Sequence, residues 1–121
     1  MNGLSWVNED KVVFTNENSD SLIIGDLSNQ SGQVLLDTKE YHSIVGEIKT
    51  SEDNLYVYYG QTNKISPNDI AINKIELSTK TIISNGTKIK YKPKGNPSEF
   101  VFVKYNIAKN GEVTAEAPLN Q

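Results

Sequence analysis

The sequence predicts an all-β fold of antiparallel meander sheets, and three observations carry that expectation. Short runs rich in β-branched and aromatic residues alternate with clusters of Asn, Asp, Gly, Ser and Pro. Many of the runs are apolar on both faces, as in Val12-Val13-Phe14, Leu22-Ile23-Ile24 and Leu55 through Tyr59. A sheet with one wet face would alternate apolar and polar residues, so continuous runs imply sheets stacked on sheets. The third observation is an internal repeat of about the length of four strands.

Taken in order, the expected strands are KVVFT (Lys11–Thr15), SLIIGDL (Ser21–Leu27), QVLL (Gln33–Leu36), IVGEIK (Ile44–Lys49) and NLYVYYG (Asn54–Gly60). DIAINKIEL (Asp69–Leu77), TIIS (Thr81–Ser84), KIKYK (Lys88–Lys92), EFVFVKY (Glu99–Tyr105) and EVTAEA (Glu112–Ala117) follow. Asn85-Gly86 and Asn110-Gly111 carry the two residues that a type I′ hairpin turn needs, and Gly95-Asn96-Pro97-Ser98 is a further turn. Ser66-Pro67-Asn68-Asp69 resembles a helix start. The alternation of Ile70, Ile72, Ile75 and Leu77 favours a strand instead, with a bulge where the phase slips at Asn73-Lys74.

The 121 residues are expected to form one domain. Within it, unit openings fall at Leu4, Ile44 and Lys88, spaced 40 and 44 residues apart. Leu22 through Ser28 matches Ile70 through Ser78, and Val34-Leu35-Leu36 matches Thr81-Ile82-Ile83. The expected units are 1–40, 41–86 and 87–121. On these stretches the chain resembles blades of bacterial TolB-like and WD40-like β-propellers. That resemblance implies two to three propeller-blade-like units and a larger bacterial envelope or extracellular parent protein. A small up-and-down barrel or a sandwich is the alternative, because an Asn-Gly hairpin at 85–86 sits where one blade would cross to the next.

Composition excludes several chemistries. There is no Cys and one His, so thiolate chemistry, disulfides and multi-His metal sites are out, and no cofactor or metal is expected. With every basic residue a Lys, net charge −3 and pI about 5.1, neither nucleic acid nor an anionic membrane is the expected partner. No apolar stretch is long enough to span a bilayer, so membrane insertion is not expected. The stretch Met1–Trp6 lacks the features of a signal peptide, which leaves either a cytoplasmic protein or an excised piece of an exported one.

Candidate sites each have a plainer reading beside them. His42, Ser43, Asp37 and Glu40 supply the residue types of a triad, but from one connector, as a solvated loop also would. Asn16, Asn18 and Asp20 have calcium-loop spacing without the glycine or terminal glutamate, which suits a polar hairpin tip. Tyr56 and Tyr58 share one strand face and Leu55, Val57 and Tyr59 the other, either as a binding platform for sugar or peptide or as core; Trp6 reads as core. Lys88, Lys90 and Lys92 make one face of a strand wholly basic, for an acidic partner or as protection of a sheet edge.

The resulting expectation is a non-enzymatic binding or scaffolding module with a protein partner. A small phage or regulatory protein that binds a host protein and a carboxylate-based hydrolase are the alternatives. Uncovered blade faces also predict self-association into a homo-oligomer, with Phe100, Phe102 and Tyr56–Tyr59 near the contact.

Overall fold

The computed structural model describes residues 4–16, 20–38, 42–63, 66–90 and 105–115, with backbone alone for 42–43, 45–46, 63, 66–69, 85–90 and 115. Those residues form ten strands and no helix. The first sheet contains β1 (Leu4–Trp6), β2 (Lys11–Thr15), β3 (Ser21–Asp26) and β4 (Ser31–Asp37). The second contains β5 (His42–Thr50), β6 (Tyr56–Asn63), β7 (Ser66–Glu76) and β8 (Ile82–Lys90). A two-stranded ribbon pairs β9 (Tyr105–Ile107) with β10 (Val113–Ala115).

Both four-stranded sheets are antiparallel meanders in sequence order, and neither closes its first strand onto its last. That is the blade-like arrangement rather than a barrel. The chain leaves the first sheet at its outer strand and re-enters at β5, which lies beside β1. Thr50 Oγ1 donates to the Trp6 carbonyl at 3.1 Å and receives the Ser5 hydroxyl at 2.9 Å, which ties the two inner strands together.

The repeat is visible in the turns. Asp26-Leu27-Ser28-Asn29-Gln30-Ser31 and Glu76-Leu77-Ser78-Thr79-Lys80-Thr81 make the same four-residue connection. Gln30 and Lys80 take the left-handed conformation, with φ of 55° and 60°. The leading acid accepts the Ser hydroxyl in both, Ser28 at 2.5 Å and Ser78 at 3.0 Å. The Leu amide donates back to the preceding turn in both, Leu27 to Asp10 and Leu77 to Leu55. Two sequences fifty positions apart thus solve one turn with one set of polar contacts.

Two apolar layers hold the stack together. Between the four-stranded sheets lie Val7, Val13, Leu22 and Leu35 on one side and Ile44, Ile48, Val57, Tyr59 and Ile75 on the other. Leu35 is an extra residue in β4, and this bulge lets Leu35 and Leu36 both reach the layer. On the other face of the second sheet, Tyr58, Ile70 and Ile72 pack against Tyr105 and Val113 of the ribbon. Burying each such side chain stabilises by roughly 1.5–3 kcal/mol before entropy is counted.

Several expectations need correction. Asn85-Gly86 is not a hairpin turn. Ser84 pairs with Asn73 and Thr87 with Ile72, so the dipeptide is a two-residue bulge inside β8. The second sheet therefore includes residues through Lys90, past the expected unit boundary at 86, so the backbone of 88–90 belongs to that sheet. The phase slip in β7 is no bulge of β7. Alternation there is regular, with Ile70 and Ile72 facing the ribbon and Ile75 facing the first sheet, because this strand has a covered layer on each side. Asn110-Gly111 does make a hairpin, but Gly111 alone takes positive φ, at 87°, giving a three-residue loop with a glycine bulge. Trp6, expected in the core, is 53% exposed on the outer face of the first sheet. The 95–98 turn, Phe100 and Phe102 lie outside the described residues.

That outer face is organised in two rows. Leu4, Phe14, Ile23 and Val34 stand directly opposite one another across the four strands, and Trp6, Val12, Gly25 and Gly32 form the next row. A Cβ on Gly25 would sit 3.5 Å from Phe14 and 3.7 Å from Val12, which places these residues on one face.

Candidate functional site

A groove of about 740 Å³ opens between the turn joining β5 to β6 and the tip of the β9–β10 hairpin. The first wall is Lys49 through Asp53, the second Asn106 through Gly111, and the floor is Tyr56, Tyr58 and Lys74. The floor follows from strand register. Tyr58 lies opposite Lys74 and Tyr56 opposite Glu76, so alternation puts both rings and the Lys74 stem on one face. The Lys74 ammonium sits 4.4 Å from the Tyr56 ring centroid and 5.8 Å from that of Tyr58, a cation–π pairing.

The walls are held by short polar circuits. The Asp53 carboxylate accepts the Ser51 hydroxyl at 2.6 Å and the Leu55 amide at 3.1 Å, while Asn54 takes a φ of 61°. Those donors, with Lys74 nearby, hold the Asp53 carboxyl below its ordinary range. Burial, helped by the charge of Asp53, pushes the Tyr58 hydroxyl up. On the hairpin side, Asn110 Oδ1 accepts the Glu112 amide at 3.0 Å, and the Gly111 amide donates to the Ala108 carbonyl at 2.9 Å.

The hairpin is anchored by Tyr105. Gly46 and Glu47 are extra residues in β5, between the pairs Val45–Gly60 and Ile48–Tyr59. Such a bulge takes a carbonyl out of the ladder. The Tyr105 hydroxyl donates to that carbonyl of Glu47 at 2.9 Å, and the Glu47 carboxylate accepts the Tyr105 amide at 3.3 Å and lies 3.6 Å from Lys49. Tyr105 is fully buried, and burial raises its hydroxyl far above the usual tyrosine range, with the Glu47 charge adding to it.

Of the residues singled out in the sequence, Tyr56 and Tyr58 line this groove, Tyr56 half-buried and Tyr58 almost wholly buried. Lys88 and Lys90 have their backbones in β8, opposite Ala71 and Asp69, and Lys92 lies outside the described residues. The Asp37 carboxylate accepts the Ser21 hydroxyl, and Glu40 lies outside the described residues. Asn16 and Asp20 bond to each other across a hairpin tip, with Asn16 Oδ1 accepting the Asp20 amide at 2.9 Å. Among the described residues no three of His, Cys, Asp and Glu group closely enough to hold a metal ion. Lys74 and the 106–111 wall were missed in the sequence. Lys74 had a signal, since it is the charged residue inside an apolar strand, two positions from Ile72 on the tyrosine face.

No protein-family model matches the sequence, and no curated protein does either. Among solved structures, a chain in the crystal structure of a mitotic checkpoint complex superposes with a TM-score of 0.53 at 17% identity. The match covers 88% of this chain and 28% of that one, so this chain spans under a third of its structural neighbour. The likeness is one of fold alone. Among the described residues no helix is long and apolar enough to cross a membrane.

Proposed function

We propose that the chain is a blade-bearing, non-enzymatic binding module that takes a protein segment in the groove between the β5–β6 turn and the β9–β10 hairpin. The observation that carries this reading is the groove itself, open and floored by the Tyr56–Lys74 pair. Its walls bear Lys49 and Lys109 as well as Glu52 and Asp53. A mixed-charge channel with an aromatic floor suits an extended peptide bearing an acidic and an apolar residue. One ring face of Tyr56 already carries Lys74, which counts against sugar stacking there. A hydrolase would need a carboxyl whose acidity is weakened. Asp53, the carboxylate tied most firmly into the groove, is shifted the other way. Selection of displayed random peptides tests the proposal. Enriched peptides should bind Tyr56→Ala and Lys74→Met at least about tenfold more weakly, the loss typical of a truncated anchor. Peptides that bind both variants as tightly as the parent would refute it.

A further inference from the structure

We propose that the floor of the groove is a carboxylate-binding site, in which the Lys74 ammonium and the Tyr58 hydroxyl together hold an acidic side chain of the bound protein segment. The inference deepens the groove reading above and rests on it for the partner being a protein. One hydroxyl and one ammonium on the floor are without polar partners among the described residues. Tyr58 is 3% exposed, yet nothing accepts or donates a hydrogen bond at its hydroxyl. A Cβ on Gly111 would stand 3.6 Å from this hydroxyl, which places it at the foot of the hairpin wall, facing a residue without a side chain. Lys74 is half-buried, and its ammonium rests on the Tyr56 and Tyr58 rings without an ion pair to any carboxylate.

Strand register sets the two groups side by side, since Tyr58 lies directly opposite Lys74. Asp53 is the acid whose charge both of them feel, but its carboxylate is taken by the Ser51 hydroxyl and the Leu55 amide. Leaving a buried hydroxyl unbonded costs free energy. A carboxylate laid on the floor supplies acceptors to both donors, through charge-assisted hydrogen bonds of about 2.5–2.9 Å. The hydroxyl meets it as a donor, because burial and the Asp53 charge keep its proton on at neutral pH.

The surroundings select a carboxylate over a phosphate. Phosphate sites draw on Arg forks, and this chain has no Arg. Glu52 and Asp53 stand on the same groove, where they repel a dianion more strongly than a monoanion. The walls also favour an acidic side chain over a chain terminus. Terminal carboxylates are captured by unpaired backbone amides. Here the Leu55 amide is taken by Asp53, that of Gly111 by Ala108 and that of Glu112 by Asn110. Lys49 is turned to Glu47, so Lys74 is the cation of the floor.

Titration of the full chain with the α-amide of N-acetylglutamic acid, followed by NMR, tests the site with a single side-chain carboxylate. The α-amide of N-acetylglutamine is the neutral match, and N-acetylglycine presents a terminal carboxylate instead. The expected result is a saturable shift of the Gly111 amide resonance with a Kd on the order of millimolar, and binding of the glutamine match at least about tenfold weaker. Tyr58→Phe and Lys74→Met should each weaken the acid at least about tenfold, the loss of one charge-assisted hydrogen bond. Lys11→Met removes an exposed lysine elsewhere and should change nothing. Tyr58→Phe costs the fold no hydrogen bond, so it decides alone if circular dichroism shows Lys74→Met misfolded. Four results would each overturn the proposal: equal binding of the glutamine match, tighter binding of N-acetylglycine, unchanged binding by Tyr58→Phe, or no saturable shift up to about 100 mM. Displayed peptides weakened by Tyr56→Ala, but neither by Tyr58→Phe nor by Glu→Gln within the peptide, would overturn it while the groove reading stands. Saturable binding of the glutamate probe where no displayed peptide binds would uphold the carboxylate site and sink the groove reading.

Discussion

Tyr59 and Tyr105 are both fully buried, and the same substitution should act on them with opposite sign. Tyr105 donates to the carbonyl freed by the β5 bulge at 2.9 Å. Tyr105→Phe removes the donor and keeps the ring, so the Glu47 carbonyl loses its partner. A hydrogen bond of this kind contributes about 0.5–1.5 kcal/mol net, and an orphaned acceptor adds to the loss, for about 1–3 kcal/mol in all. Tyr59 has no hydrogen-bond partner for its hydroxyl among the described residues. Asn73, directly across the strand pair, moderates the rise in its pKa. Burying an unbonded hydroxyl costs about 1–3 kcal/mol, so Tyr59→Phe should be neutral or stabilising. Urea unfolding reads both. With a slope of about 1–3 kcal/mol per molar, Tyr105→Phe should lower the midpoint by about 1 M, and Tyr59→Phe should hold or raise it at unchanged slope. Equal losses at the two positions would refute the hydrogen-bond account of the bulge.

Other outcomes follow from the same geometry. Burial raises the hydroxyl pKa values of Tyr58, Tyr59 and Tyr105 above the ordinary tyrosine value of about 10. The folded state therefore holds these protons more tightly than the unfolded chain. Their contribution is complete below that value and lost as pH climbs above it, so tyrosinate absorbance should appear together with loss of the β-sheet signal. Gln30→Gly and Lys80→Gly should each raise stability by up to about 1 kcal/mol in urea melts, by similar amounts, since both relieve a left-handed residue in one repeated turn. Gly111→Ala should lower stability by about 1 kcal/mol, because φ of 87° disfavours a side chain although 3.6 Å to the Tyr58 hydroxyl leaves room for one.

Strand content was legible because β-branched and aromatic runs end at polar turn residues, and that local chemistry survives tertiary context. The stacking was legible from Val57-Tyr58-Tyr59, whose neighbours bury in different layers. What misled was chemistry with two uses. Asn-Gly suits a hairpin turn, yet at 85–86 it serves as a bulge, because β7 is long enough to pair on both sides of it. The dipeptide cannot report how far its neighbour strand continues. Trp6 reads as core by type, but its strand opens the first sheet, so only packing between sheets decides whether its face is covered. The groove joins Asp53, Lys74 and Gly111, brought together by strand pairing and by the anchoring of the hairpin on Glu47. Of these, only Lys74 left a mark in the strand pattern.

The account rests on β8 running unbroken through its bulge, since that makes 42–90 one four-stranded sheet. Nuclear Overhauser contacts between backbone protons of β7 and β8 test it directly. The predicted contacts join Ile83 with Lys74 on one side of Asn85-Gly86 and Thr87 with Ile72 on the other. Contacts pairing Ser84 with Thr87 and Ile83 with Lys88 would instead show a tight hairpin at 85–86, and would contradict the stacked-sheet architecture.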